Sequence, residues 1–270
     1  MNTIIIAVVS VTAIGIICAA LLSIASKMMA LKVDERIALL EEFMPGINCG
    51  ACGYPGCNGY AVALIENKNI ESNLCTPGGF EVVKKISAFL GVEADDVAKK
   101  TAVIHCRGDC NLQQKKMDYK GIKTCAGAKQ LFGGDGACAF GCLGYGDCKI
   151  VCPSNAICMY NSLAVIKTDL CTCCSLCIKT CPNNLISIVD GDITVAVFCK
   201  STDKGAVTRK KCSSGCIGCG KCVRECPESA IIVKDNLAVI DYEKCTFCGI
   251  CADVCITGCI QKKAIENIKC

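Results

Sequence analysis

Between Thr3 and Ser26 the chain carries no charge and is built mostly from Ile, Val, Ala and Leu. That run exceeds the roughly 20 apolar residues a helix needs to cross a bilayer, and it predicts a membrane anchor over residues 1–27. Lys27, Lys32 and Arg36 follow directly, which assigns the rest of the chain to the cytoplasm. A cleaved signal sequence would have a shorter apolar core, a basic residue ahead of it and a small-residue cleavage site. A very apolar buried helix is the other reading of the pattern. Next, Val33, Ile37, Leu40 and Phe43 recur at helical spacing among charged residues, predicting a short helix stopped by Pro45 and Gly46. Residues from Gly59 to Asn67 also read as helix, and Phe80 to Lys100 as amphipathic helix plus linker. After Cys138 the pattern shortens. Ala156-Ile157, Leu163-Ala-Val-Ile166, Ala230-Ile-Ile-Val233 and Leu237-Ala-Val-Ile240 are β-branched runs expected as short strands. Their repeated cadence marks a duplicated module, Cys138 to about Val189 and Cys216 to about Ile260.

Composition adds the chemistry. The 270 residues include 30 Cys, one His and no Trp. Such enrichment reads as a disulfide framework in short secreted chains and as metal or redox chemistry in cytosolic ones. Spacing decides between them. Cys216-Ile-Gly-Cys219-Gly-Lys-Cys222-Val-Arg-Glu-Cys226-Pro227 and Cys245-Thr-Phe-Cys248-Gly-Ile-Cys251-Ala-Asp-Val-Cys255 both read C-x2-C-x2-C-x3-C, the spacing of paired [4Fe–4S] clusters. In that arrangement the fourth Cys of each run serves the other cluster. Cys216, Cys219, Cys222 and Cys255 are therefore assigned to one cluster, and Cys245, Cys248, Cys251 and Cys226 to its neighbour. Zinc knuckles usually take two C-x2-C pairs rather than triplets with a displaced fourth Cys.

Cys49-Gly-Ala-Cys52-Gly-Tyr-Pro-Gly-Cys57, with Cys75 returning after a helix, predicts one self-contained cubane, with zinc the alternative. The first module has Cys138-Ala-Phe-Gly-Cys142, Cys148-Lys-Ile-Val-Cys152-Pro153 and Cys171-Thr-Cys173-Cys174-Ser-Leu-Cys177-Ile-Lys-Thr-Cys181-Pro182. Crossed ligation assigns Cys138, Cys142, Cys148 and Cys181 to one cluster, and Cys171, Cys174, Cys177 and Cys152 to the other, with Cys173 a bystander. Cys106, Cys125, Cys199 and Cys212 flank the modules and are expected to form a sixth cluster or else to be free buried thiols, with Cys110 a substitute ligand. Cys18, Cys158, Cys173, Cys259 and Cys270 are expected as non-ligands. The cofactors are thus five or six [4Fe–4S] clusters per chain.

The expected fold class is α+β: a transmembrane helix, a small helical [4Fe–4S] domain and two ferredoxin-like two-cluster modules with short strands. The domains are residues 1–27, the anchor; 28–80, the four-Cys domain; 81–137, a linker with cluster ligands; 138–195, the first module; 196–213, a connector with ligands; and 214–270, the second module. No G-x-G-x-x-G follows a strand, so a nicotinamide or flavin site is unsupported. A net charge of +4 without aromatic-interleaved basic stripes gives no support for nucleic acid. No residue is placed for bond-making chemistry, and His105 is expected to pack or hydrogen-bond. The chain reads as an electron carrier. Lys84-Lys85, Lys99-Lys100, Lys115-Lys116 and Arg209-Lys210-Lys211 are either solvated faces or steering charges for an acidic donor.

Taken in order, the anchor, the Asn48-Cys49-Gly-Ala-Cys52-Gly-Tyr-Pro-Gly-Cys57…Cys75 domain, the Cys138-Ala-Phe-Gly-Cys142-Leu-Gly-Tyr-Gly-Asp-Cys148 run and the ferredoxin runs resemble the B subunits of Rnf-type membrane complexes. These are ion-translocating ferredoxin:NAD oxidoreductases. The resemblance covers nearly the whole chain. It departs from the usual pattern where Ile256 stands for Pro after Cys255 and where Cys259 replaces a small residue. The resemblance implies a single-pass cell-membrane protein whose C-terminal iron–sulfur region is cytoplasmic. It further implies that the protein takes electrons from soluble ferredoxin and passes them to other subunits of the complex. A polyferredoxin subunit of a hydrogenase or another dehydrogenase, and a zinc-binding regulatory module, are the competing readings.

Overall fold

The computed structural model describes residues 2–29, 34–67, 69–94, 96 and 99–262; Lys32, Val33 and Cys270 lie outside the described residues. The apolar run folds as α1 (Asn2–Met29). Ile4–Met28 has a mean hydropathy of 2.8 with its side chains exposed along the whole span, long and apolar enough to cross a bilayer. Ser10 and Thr12 turn their hydroxyls back onto the carbonyls of Ala7 and Val8, so these polar groups are satisfied within the helix.

α2 (Glu35–Phe43) begins at Asp34, whose carboxylate accepts the Arg36 N–H at 3.0 Å. It packs against α3 (Gly56–Glu66) and α4 (Gly79–Leu90). Leu40, Tyr60, Leu64 and Ile86 fill the space between them, and Cys75 belongs to this core. Gly91, at φ 70°, ends α4 in the left-handed conformation that only glycine adopts without cost.

The chain then runs through β1 (Lys100–Ile104), α5 (Cys125–Gln130), α6 (Asp147–Ile150), β2 (Ile157–Tyr160), β3 (Leu163–Ile166), α7 (Leu176–Thr180) and β4 (Ile186–Asp190). β5 (Val195–Val197), α8 (Gly205–Lys211), α9 (Lys221–Arg224), β6 (Ile231–Lys234), β7 (Leu237–Ile240), α10 (Ile250–Asp253) and β8 (Ile260–Lys262) complete it. The hairpins β2–β3 and β6–β7 are the four strands expected from sequence. Both turn on two residues at positive φ, Asn161-Ser162 and Asp235-Asn236, as a two-residue hairpin loop requires.

The other two sheets join distant segments. β1 pairs antiparallel with β4, Ile104 opposite Ile186, and β5 pairs with β8, Val197 opposite Ile260. Each module is therefore closed by a strand that precedes its cysteine runs. Residues expected as a linker (in 81–137) and as a connector (in 196–213) are structural parts of the modules, and boundaries at 138 and 214 cut through both. One core gathers Ile104, Cys106, Cys148, Ile157 and Leu185, and the other Val197, Cys216, Cys222, Ile231 and Ile260. Between them lies an apolar seam in which Val103, Ile193, Ala196 and Phe198 meet Tyr242 and Phe247.

Candidate metal centres

In the N-terminal domain, tight turns bring Cys49, Cys52 and Cys57 to one side of Cys75. Burial pushes the Cys75 thiol up to about 11, and Cys57, Cys52 and Cys49 add to the rise as like charges. Asn48 closes the loop. It sits at φ 52° and its side-chain oxygen accepts the Cys57 N–H at 2.8 Å. Gly56 must lack a side chain here, because a Cβ would lie 2.7 Å from that oxygen. Lys179 of α7 donates to the Cys49 carbonyl at 2.8 Å and ties the domain to the first module.

The second module gathers the predicted sets. Cys216, Cys219, Cys222 and Cys255 line one void. Burial raises Cys222 to about 11, with Cys216, Cys219 and Cys255 as the nearest like charges. Cys251 rises to about 11 for the same reason, with Cys245 and Cys248 beside it. Cys226 packs into the same core as Cys245 and Cys251. In the first module, Cys177 is raised to about 11 by burial and by Cys171, Cys174 and Cys152, so the crossed set is also brought together.

The remaining sets differ from the sequence expectation by an exchange of two residues. The void that holds Cys142, Cys148 and Cys181 is completed by Cys125, not by Cys138. Burial pushes Cys148 up to about 12, with Cys142, Cys125 and Cys181 contributing. Cys125 opens α5, where Thr124 caps the helix by accepting the Gly127 N–H. Ala126 donates its N–H to the Asp147 carboxylate at 3.1 Å, which holds the Cys125 sulfur over the backbone N–H groups of Asp147 and Tyr145. Cys138 instead lines a separate void with Cys106, Cys199 and Cys212.

A shared register explains the exchange. Cys138-Ala-Phe-Gly-Cys142-Leu-Gly-Tyr-Gly-Asp-Cys148 and Cys212-Ser-Ser-Gly-Cys216-Ile-Gly-Cys219-Gly-Lys-Cys222 both read C-x3-C-x5-C before C-x3-C-P. Tyr145 occupies the place of Cys219, and the missing thiol comes from Cys125.

Two family models match parts of the chain: an Fe-S cluster family over residues 44–77 and a 4Fe-4S dicluster domain over residues 215–259. The chain is 39% identical over 264 residues to the B subunit of the proton-translocating ferredoxin:NAD(+) oxidoreductase complex of Clostridium ljungdahlii, covering 97% of this chain and 93% of that one. It is 37% identical to the Na(+)-translocating counterpart of Acetobacterium woodii, over 97% of this chain and 78% of that one. The B subunit of the ion-translocating oxidoreductase complex of Methanosarcina acetivorans is 38% identical over 94% of each chain. The chain belongs to the Rnf B-subunit family. Its place is that of an iron–sulfur electron-transfer component of an oxidoreductase complex.

The residues of this family member fit [4Fe–4S] clusters. Each void is ringed by thiols, and backbone N–H groups point at the sulfurs: Leu185 to Cys181 at 3.4 Å, Ala238 to Cys216 at 3.5 Å and Phe247 to Cys245 at 3.4 Å. Such donors stabilise thiolates and set the potential of a bound cluster. Among the described residues no group of three or more His, Cys, Asp or Glu is placed to hold a single metal ion. Three groups of sulfurs line voids, as ligands to separate irons do.

Other cysteines take different roles. Cys173, at φ 53°, is buried and its thiol donates to the Lys100 carbonyl at 3.3 Å, so it packs the β1 edge. Cys259 is 2% exposed with its sulfur 3.6 Å from that of Cys255. This extra thiol hydrogen-bonds Cys255 and lowers it to about 5. Cys110 is exposed, as is Cys18 on α1, and Cys158 lies on β2 opposite Val165. The His105 ring bridges the modules: Nδ1 meets the Val197 carbonyl at 2.9 Å and Nε2 the Ser187 hydroxyl at 2.7 Å. Its role is structural.

Proposed function

We propose that this Rnf-family protein receives electrons from soluble reduced ferredoxin on the cytoplasmic side of the membrane. It then relays them along ordered thiol-ligated clusters to other subunits of its complex. When bound, [4Fe–4S] clusters supply one-electron carriers whose potentials the protein tunes. The five ligand sets of this reading are Cys49, Cys52, Cys57 and Cys75; Cys152, Cys171, Cys174 and Cys177; Cys125, Cys142, Cys148 and Cys181; Cys216, Cys219, Cys222 and Cys255; and Cys226, Cys245, Cys248 and Cys251.

The adjacency of these sets carries the proposal. Cys174 is within electrostatic reach of Cys49, Cys148 of Cys177, and Cys251 of Cys222. The N-terminal set therefore neighbours the first module, and within each module the two sets neighbour each other. Cys219 and Cys248 of the second module are exposed. An outside donor needs a centre close to solvent, so the second module is the receiving end and the domain next to α1 the delivering end. Lys27 at the cytoplasmic end of α1 supports that orientation.

Most of the basic pairs are engaged within the chain. Lys99 meets Asp192, Lys100 Asp190, Lys115 Asp135 and Lys211 Asp203. Arg209 and Lys210 on α8 are exposed and are the better steering charges. Stopped-flow mixing of anaerobically purified, loaded full-length protein with reduced ferredoxin tests the reading. Rapid reduction that slows as ionic strength rises is expected. Protein that dithionite reduces but ferredoxin does not would belong to a different donor.

A further inference from the structure

Beyond the eight ligands assigned to it, the span from Cys216 to Ile260 holds one more thiol, Cys259. It is buried and lines the void of Cys216, Cys219, Cys222 and Cys255. We infer that Cys259 is a non-ligating hydrogen-bond donor that raises the reduction potential of the centre held by those four cysteines, and so draws electrons to that centre within the receiving module. The inference rests on the iron–sulfur reading above.

The repeated runs show that the fold does not need a thiol there. Each run ends in a ligand followed, four residues on, by a buried side chain: Ala156 after Cys152, Leu185 after Cys181, Ala230 after Cys226 and Cys259 after Cys255. The four loops share one backbone course. Asn155, Asn184, Ser229 and Gly258 all sit at positive φ, from 49° to 64°, and each donates its N–H to the carbonyl of the ligand three residues back. The place is therefore apolar in three runs and a thiol in one. Alanine fills it as well. What the thiol adds is a proton to donate.

That proton has two acceptors, and both belong to the same set. The Cys259 sulfur lies 3.6 Å from the Cys255 sulfur and is also hydrogen-bonded to that of Cys216. Whichever it faces, the hydrogen bond falls on one centre. By contrast, Cys173 has a backbone carbonyl, that of Lys100, to take its proton. Main-chain contacts fix Cys259 in place. Phe198 donates its N–H to the Cys259 carbonyl at 2.6 Å, continuing the β5–β8 ladder, and Arg107 donates to the Gly258 carbonyl at 3.1 Å.

Reduction adds negative charge that is shared with the ligand sulfurs. A donor aimed at those sulfurs stabilises the reduced state more than the oxidised one, which lifts the potential while the proton stays on Cys259. Two neighbours push the same way. The Thr257 hydroxyl lies 3.8 Å from the Cys255 sulfur. Lys221, half-buried, lines the void at the place where the first module has Asp147.

Redox titration of anaerobically purified, loaded full-length protein, followed by electron-spin signals, tests the assignment. The signal that Cys222→Ala removes marks the centre. In Cys259→Ala its ratio of reduced to oxidised form at a fixed potential should fall about tenfold, a midpoint about 59 mV lower for one electron. Iron content should stay at the wild-type level. Alanine already fills the same place after Cys152 and Cys226, so this variant should keep the fold. Cys259→Ser retains a donor and should recover part of the shift. A ratio in Cys259→Ala within about twofold of the wild type, or a serine variant no higher than alanine, makes Cys259 a space-filler and overturns the inference. Loss of about four iron from Cys259→Ala overturns it too, because the thiol would then be a ligand. Protein that binds zinc in place of iron sinks the underlying electron-carrier reading, a result separable from an unmoved potential.

Discussion

At the residue scale, Tyr145 and Cys125 show how a broken motif is repaired in space. Tyr145 stands where the second module has Cys219, and its ring rests against Tyr119 with centroids 5.9 Å apart. The lost ligand returns from a distant segment whose helix is pinned to Asp147. The backbone around Tyr145 still has the loop conformation of the ligating run, with Gly144 and Gly146 at φ 80°. A thiol at that position would therefore face the same void. Cys125→Ala should lose about four iron per chain, and adding Tyr145→Cys should restore them by recreating C-x2-C-x2-C-x3-C. Iron analysis of the single and double variants decides it. A double variant as depleted as the single one would mean that the Tyr145 loop does not present a ligand. The same residue explains what the sequence hid. The C-x2-C-x2-C-x3-C runs were legible because all their ligands are local, but a Tyr in a ligand's place made the first run look stretched. Aligning the repeats by C-x3-C-x5-C is the signal that would have paired Cys138 with Cys212 and released Cys125.

At the element scale, each ligating loop leans on the hairpin of its own module. A Cβ on Gly144 would lie 2.7 Å from the Ser162 carbonyl oxygen, and one on Gly218 2.9 Å from that of Asn236. Both glycines have positive φ, 80° and 65°. The left-handed conformation alone costs an L-residue roughly 1–2 kcal/mol, and a backbone oxygen cannot move aside as a flexible side chain can. Gly191, at φ 89° with no atom within 4 Å of its Cβ, bears only the first of these costs. Gly144→Ala and Gly218→Ala should accordingly speed cluster loss in denaturant well beyond Gly191→Ala, followed by the decay of visible absorbance. Equal rates for all three variants would show that loop and hairpin are not in rigid contact. Hairpin strands were readable from their alternating β-branched runs. β1, β4, β5 and β8 were not: Val195–Val197 and Ile260–Lys262 span only three residues each, and all four strands find their partners across long stretches of chain. Short strands of that kind are defined by tertiary pairing rather than by local pattern.

At the scale of the whole molecule, the proposed sets can be ordered by which of them adjoin: Cys174 reaches Cys49, Cys148 reaches Cys177 and Cys251 reaches Cys222. The N-terminal set adjoins the set of Cys152, Cys171, Cys174 and Cys177, where Cys174 lies within electrostatic reach of Cys49 and Lys179 donates to the Cys49 carbonyl. Removing that one set should leave the module proposed to face the donor untouched while isolating the domain beside α1. In Cys177→Ala protein mixed with reduced ferredoxin, the second-module centres should reduce as fast as in the wild type. The centre at Cys49, Cys52, Cys57 and Cys75 should lag far behind. Freeze-quenched electron-spin spectra resolve the two, because each cluster's signal depends on its own hydrogen bonds and burial. If both fill together in the variant, electrons reach the N-terminal domain by another route and the order along the chain is not the order of transfer. If only the N-terminal centre lags, this succession of cysteine sets is the path, and the docking of Lys179 on Cys49 is the joint through which the protein delivers its electrons toward the membrane.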